Sequence, residues 1–276
     1  MTDPIVSVDW LSTNLDKVVV LDATYALLAD PEQIKRDYLA EHIPGARLFE
    51  IDKIADTKSD LPHMLPSNEH FAEAMAELGV DGSRPVVVYD RSLNHFSAPR
   101  VWFTLKLFGV NECYVLNGGL EAWKRAGNTT ETGKPAPSFV SQRTWTLDPS
   151  RVVSGEQISQ FVESCSETIL DARAKNRFVG EAPEPRPGLT SGHMPGSVCV
   201  PFAGLTDSDG NFRAPQALKE IFKEVESPNP IVSCGSGITA CVLALGLARI
   251  GVEARLYDGS WADWGRGTLG PINTTS

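Results

Sequence analysis

Apolar positions in this chain come as short unbroken runs, and the runs come in pairs. Residues 18–25 read VVVLDATY and residues 168–173 read TILDAR, each an apolar run that closes on an aspartate. Runs of this length, rich in β-branched residues and bounded by turns, predict strands buried on both faces. Residues 85–90 (PVVVYD) and 230–234 (PIVSC) predict two more. Each of these leads into an apolar segment with helical character, 98–108 and 239–250. Those segments end at Gly109-Val110 and Gly251-Val252, where glycine suits a helix C-terminus.

The pairing extends beyond the strands. HIPGA at 42–46 and HMPGS at 193–197 begin 20 and 22 residues after Asp22 and Asp171. VLNGGLEAW at 115–123 likewise matches LYDGSWADW at 256–264. Five matches in one order identify a duplicated unit. Alternating strands and helices make each copy an α/β domain with a mainly parallel sheet flanked by helices. The 276 residues accommodate two such domains, of about 130 residues each. Residues 128–149 are rich in Thr, Pro, Gly and Ser and lack helical periodicity, which predicts a linker between domains 1–127 and 150–276. The loop EAPEPRPG at 181–188 occurs in the second copy alone.

Charge and composition narrow the function. The formal net charge is −10, which argues against nucleic acid or an anionic membrane as the main partner. No apolar run is long enough to span a bilayer, and the first ten residues lack a basic stretch followed by an apolar one. A cytoplasmic location is the expectation. The five cysteines, at 113, 165, 199, 234 and 241, include no C-x2-C pair, so neither a zinc site nor a dithiol is expected.

The two copies differ most where the second of these paired strands, 85–90 and 230–234, ends. The second copy continues as CGSGITA from Cys234 to Ala240, and the first as DRSLN from Asp90 to Asn94. A cysteine followed by small residues at a strand-to-helix junction is a cradle for a nucleophile. Its backbone N–H groups turn inward, and the positive end of the helix helps to hold an anionic sulfur. Cysteine phosphatases use a related C-x5-R loop. Here the sixth residue after Cys234 is Ala240, and a loop without arginine holds a phosphoryl group poorly.

CGSGITA closely resembles the active-site loop CGSGVTA of the 3-mercaptopyruvate sulfurtransferases. The duplicated organisation resembles the two-domain rhodanese family to which they belong, from about residue 6 to residue 265. Thiosulfate-using members usually carry basic residues, as in CRKGVTA, where this chain has Gly235 and Ser236. The resemblance implies two tandem rhodanese-like domains, with the first catalytically degenerate because Asp90 replaces the cysteine. It implies that Cys234 is the nucleophile and that Gly235, Gly237, Ile238 and Thr239 line the substrate. It places the two substrate-binding arginines at Arg177 and Arg186, and a Ser-His-Asp relay at Ser236, His63 and Asp52. His42 and His193, found in both copies, are expected to be structural, as are Asp22 and Asp171.

The activity so implied is transfer of sulfur from 3-mercaptopyruvate, through a persulfide on Cys234, to cyanide, a small thiol or a thioredoxin-like protein. Pyruvate is released and no metal or organic cofactor takes part. A thiosulfate sulfurtransferase is the rival within the class. A persulfide-carrier or redox-sensing module without turnover is the rival outside it.

Overall fold

The computed structural model describes residues 3–28, 30–136 and 139–274. Met1 and Thr2 of the N-terminal stretch, and Pro137 and Ser138 of the segment read as a linker, lie outside the described residues.

Among the described residues ten strands follow in chain order: β1 (Ile5–Val6), β2 (Val19–Asp22), β3 (Arg47–Leu48), β4 (Val86–Tyr89), β5 (Cys113–Leu116), β6 (Val152–Val153), β7 (Ile169–Asp171), β8 (Val198–Cys199), β9 (Ile231–Ser233) and β10 (Arg255–Tyr257). They form two five-stranded sheets, ordered β1-β5-β4-β2-β3 and β6-β10-β9-β7-β8. Every strand pairing between them is parallel. The two orders are the same permutation, so the duplication seen in the sequence is a duplication of topology. Parallel neighbours need crossover connections, and the apolar helices between the strands supply them.

Packing explains why the central strands are apolar throughout. Val86–Tyr89 and Ile231–Ser233 are buried at every position. In the first sheet's unit Val20, Val87, Tyr89, Leu116 and Trp123 share one core. In the second, Ile169, Ile231, Tyr257, Trp261 and Trp264 share another. Each copy starts its first helix on a serine cap just after its first strand: Ser7 accepts from the Trp10 amide, and Ser154 forms a capping box with Gln157.

The chain divides into two compact units that do not follow the repeat boundary strictly. The first unit comprises Met1–Thr57, Leu65–Asp148 and Thr206–Phe212; the second comprises Lys58–Met64, Pro149–Leu205 and Arg213–Ser276. Each copy therefore contributes one short loop, at the corresponding place before a helix, to the other's unit. The segment read as a linker belongs with the first unit up to Asp148, and its Trp145 is buried edge-on to Phe71.

The paired histidines and aspartates have structural partners. His42 Nδ1 meets the Tyr38 carbonyl at 2.9 Å, and His193 Nδ1 meets the Phe178 carbonyl at 2.8 Å. Asp22 is paired with Arg91 and Asp171 with Arg173.

In both sheets the strand order reverses next to the central strand. The chain runs outward from β7 to β8, then returns to the far side of β7 as β9. Ligands of open α/β sheets collect at the carboxyl ends of strands at such a reversal. In the second sheet those ends lead to Ala172-Arg173 and to Cys234.

Candidate active site

Cys234 follows β9 directly and is 1% exposed. Its amide donates to Ser260 Oγ at 3.2 Å, and its carbonyl accepts from the Trp261 amide at 2.9 Å. Ser260 Oγ in turn donates to the Tyr257 carbonyl at 2.9 Å. This buried serine has φ +50, a left-handed conformation that costs energy for any residue but glycine. Its counterpart in the first copy is Gly119, φ +57, so the catalytic-type copy accepts strain to place a hydroxyl against the cysteine's backbone.

Beyond Cys234 the loop turns at Gly237, φ +77, and enters the helix Ala240–Arg249. Ser236, Ile238 and Thr239 are buried, and Cys241 Sγ donates to the Gly237 carbonyl at 3.3 Å. What the cradle is shaped to hold is visible in the first copy. There the Asp90 carboxylate accepts from the amides of Ser92 (2.9 Å), Ser97 (2.9 Å) and Ala98 (2.7 Å), and from the Ser92 hydroxyl (2.7 Å). Ala98 opens its helix as Ala240 opens the other. Thr239 and Ala240 correspond in this way to Ser97 and Ala98, two of the carboxylate's donors, at the entry to the helix. The first cradle is filled by a built-in anion; the second presents a thiol.

The second unit also brings the two arginines to this loop. A methyl group on Gly235 would lie 3.3 Å from Arg177 Nη2 and 3.9 Å from Arg186 Nη1, so both guanidiniums flank the residue next to Cys234. Arg177 is held by Glu184, with Nη2–Oε2 at 2.5 Å and Nε–Oε1 at 3.3 Å. Glu184 also accepts from Arg173 Nη1 at 2.9 Å. Arg173 is fully buried against Asp171, with Nη2–Oδ2 at 2.6 Å, and lies 4.0 Å from the centre of the Trp261 ring. Burial alone would lower the Arg173 pKa, but Asp171 and Glu184 outweigh it and raise it above the ordinary value.

Arg173 and Arg177 share the two carboxylates of Asp171 and Glu184, and Arg186 adds a third guanidinium beside Gly235, a surplus cation over these two anions in a chain of net charge −10. That surplus suits an anionic ligand. Glu184 carried no signal in the sequence, because Arg173 and Arg177 meet it only through the fold of the 181–188 loop.

His63 belongs to the second unit, although the repeat assigns it to the first copy. It is 8% exposed, and its Nε2 lies 3.0 Å from Arg186 Nη2. Asp52 is exposed on the helix Ile51–Ile54 of the first unit. Within the second unit, then, Cys234, Ser236, Arg177, Arg186 and His63 share one region, with His63 on Arg186.

The remaining cysteines are differently placed. Burial pushes the Cys113 thiol far up and the Cys199 thiol up to about 11, so both stay protonated at neutral pH. Cys165 is exposed.

A family model described as "Rhodanese-like domain" matches residues 7–126 and 154–266. The chain is 40% identical to the 3-mercaptopyruvate sulfurtransferase of Escherichia coli K12, covering 94% of each chain. It is 38% identical to the thiosulfate/3-mercaptopyruvate sulfurtransferase 2 of Arabidopsis thaliana, over 98% of this chain and 86% of that one. The crystal structure of SseA from Escherichia coli, a 3-mercaptopyruvate sulfotransferase by its description, superposes with a TM-score of 0.84 at 37% identity, over 94% of this chain and 99% of that one. The repeat, the twin sheets and these likenesses agree: the chain belongs to the two-domain rhodanese family of sulfurtransferases.

Proposed function

We propose that this sulfurtransferase takes its sulfur from 3-mercaptopyruvate and carries it as a persulfide on Cys234. The observation that supports this reading most is the approach of both Arg177 and Arg186 to Gly235, with no cation inside the loop itself. A donor with a carbon arm can leave its carboxylate on the arginines while its sulfur reaches Cys234. Arginine's planar fork suits that carboxylate.

The Cys234 thiolate attacks the donor's sulfur, the C–S bond breaks, and the electron pair leaves as the enolate of pyruvate. The sulfur keeps its proton and remains as Cys234–S–SH. A proton completes pyruvate, and in this reading the Ser236 hydroxyl, buried and two residues from the nucleophile, passes it on. In the second half-reaction a nucleophile attacks the outer sulfur and Cys234 departs as thiolate. Cyanide becomes thiocyanate, a small thiol becomes its persulfide, and a thioredoxin-like dithiol releases sulfide as it closes to a disulfide. The persulfide is the only carrier this cycle needs. The amides that hold Asp90 in the first copy have counterparts suited to an anionic sulfur in the second.

Among the described residues no helix is long and apolar enough to cross a membrane. The cytoplasm, with its reduced thiols as acceptors, fits the exposed free cysteine at position 165.

A thiosulfate activity is the second reading, favoured by the Arabidopsis relative whose name carries both donors. The test is the ratio of kcat/KM for 3-mercaptopyruvate to that for thiosulfate, with pyruvate and sulfite measured as products. A ratio well above one supports the proposal, and a ratio below one assigns the enzyme to thiosulfate. A single stoichiometric burst without further turnover would make it a sulfur carrier.

A further inference from the structure

We propose that His63 is a positioning residue that holds the Arg186 guanidinium in place for the donor's carboxylate. This rests on the reading of Arg186 as a donor-binding residue. A guanidinium has only N–H donors, so at 3.0 Å from Arg186 Nη2 the His63 Nε2 must be the acceptor. His63 is then neutral, with its proton on Nδ1. A ring in that state has no lone pair left to take a proton from Ser236 while Arg186 is docked. The geometry therefore gives His63 a role different from a base in a serine relay.

The segment around it is built to deliver this contact. Lys58–Met64 joins the second unit, and Arg266 pins it through Nη1 to the Asp60 carboxylate (2.7 Å) and Nη2 to the Asp60 carbonyl (3.2 Å). His63 itself has φ +61, a backbone state that L side chains rarely adopt. Such a conformation persists where the surroundings over-determine it, which is common at ligand sites.

The two arginines are held in contrasting ways. Arg177 is tied to the carboxylate of Glu184, which offsets its charge. Arg186 is tied to a neutral ring, which fixes its direction and leaves its charge intact. Arg186 is accordingly the stronger anchor for an anion, and His63 decides where it points. The corresponding loop of the other copy, Thr206–Phe212, meets the Asp90 loop differently: His95 Nε2 lies 2.9 Å from the Gly210 carbonyl. There the loop offers a carbonyl and the histidine belongs to the cradle. The His63–Arg186 contact of the cysteine-bearing unit thus contrasts with the His95–Gly210 contact of the other.

The test is a double-substitution cycle with 3-mercaptopyruvate as donor: His63→Ala, Arg186→Ala, both together, and His63→Gln. The proposal expects Arg186→Ala to raise KM by about ten- to a hundredfold. His63→Ala should raise KM by about tenfold with kcat little changed. The double variant should be no worse than Arg186→Ala alone, because His63 acts through Arg186. His63→Gln should recover most of the loss, since an amide oxygen also accepts. If His63→Ala instead lowers kcat at constant KM, if the two losses simply add, or if glutamine gives no recovery, the proposal is overturned. Wild-type kinetics for Arg186→Ala would overturn the reading of Arg186 itself, a distinct outcome. Should His63→Ala fail to fold, the ring nitrogens of the native enzyme decide by 15N spectroscopy. An unprotonated Nε2 supports the proposal and a protonated Nε2 contradicts it.

Discussion

After β4 the chain turns on Asp90, and after β9 it turns on Cys234; the two turns share a strand, a helix and a pair of helix-entry amides. Asp90 spends those amides on its own carboxylate, which makes its loop self-contained. Cys234 carries a thiol in place of that carboxylate, with Thr239 and Ala240 at the corresponding entry to the helix. The difference extends outward. Around Cys234 the fold sets Arg177, Arg186 and Glu184, two of them in a loop the first copy does not possess. On the proposed function, one scaffold serves as a capped structural turn in one unit and as a reactive cradle in the other. What separates them is the side chain at the strand end, a stretch two residues shorter before the helix, and the guanidiniums of Arg177 and Arg186 beside it.

The comparison breaks most completely at the nucleophile. Cys234→Ser should reduce turnover by at least about a thousandfold with the fold intact, because a hydroxyl cannot carry a persulfide. Placing a cysteine in the other cradle, Asp90→Cys in the Cys234→Ser background, should not restore turnover, because that loop has no counterparts of Arg177 and Arg186 and its own Arg91 is paired with Asp22. Measurable pyruvate release from the double variant would show that the cradle alone suffices.

Arg177→Ala should cost about ten- to a hundredfold in kcat/KM for 3-mercaptopyruvate, chiefly through KM, as a charge-assisted contact to the carboxylate is lost. Steady-state kinetics at fixed ionic strength will read this. Unchanged kinetics would make Arg177 a structural partner of Glu184 only.

A smaller shift is expected from Gly235→Arg combined with Ser236→Lys. Thiosulfate is a compact dianion whose departing sulfite gains from cations beside the cysteine, at ~1–4 kcal/mol per close charge pair depending on local water. A side chain at 235 also starts 3.3 Å from Arg177 Nη2, so it crowds the arginine that serves the carboxylate. Both effects move the donor ratio towards thiosulfate, by about tenfold; a ratio equal to wild type would mean that positions 235 and 236 do not select the donor.

The subtlest test makes the second copy resemble the first at one backbone position. Ser260→Gly relieves a left-handed serine and removes the hydroxyl on the Cys234 amide. Relief and loss are each worth about 1 kcal/mol, so the unfolding midpoint should barely move. Turnover should fall severalfold as Cys234 loses a restraint. A more stable and fully active variant would show that the strain has no part in placing the nucleophile.

The parts legible in the sequence were those with fixed local spacing. Strands β2, β4, β7 and β9 showed as apolar runs because parallel central strands are buried on both faces. The Cys234 loop showed because a turn needs small residues at set positions. Asp90 was legible as a missing cysteine, yet its work as a cap was not, since its donors Ser97 and Ala98 lie seven and eight residues ahead and meet it only after the turn closes. Ser260 gave no sign because positive φ at a serine is set by packing rather than by propensity. The exchange of Lys58–Met64 and Thr206–Phe212 between units was hidden too, because hydrophobic pattern assigns a loop to its neighbours in sequence. His63 was singled out by resemblance, and its partner Arg186, 123 positions away, came only with the fold.

The central claim is that Cys234 alone receives the sulfur of 3-mercaptopyruvate. It is tested most directly by one turnover without acceptor, followed by blocking of thiols, digestion and mass spectrometry of all five cysteine peptides. One extra sulfur atom on the Cys234 peptide, with an equal amount of pyruvate in solution, is the predicted result. Extra sulfur on the exposed Cys165 or on Cys241 with none on Cys234, or pyruvate released with no sulfur retained, would contradict the account.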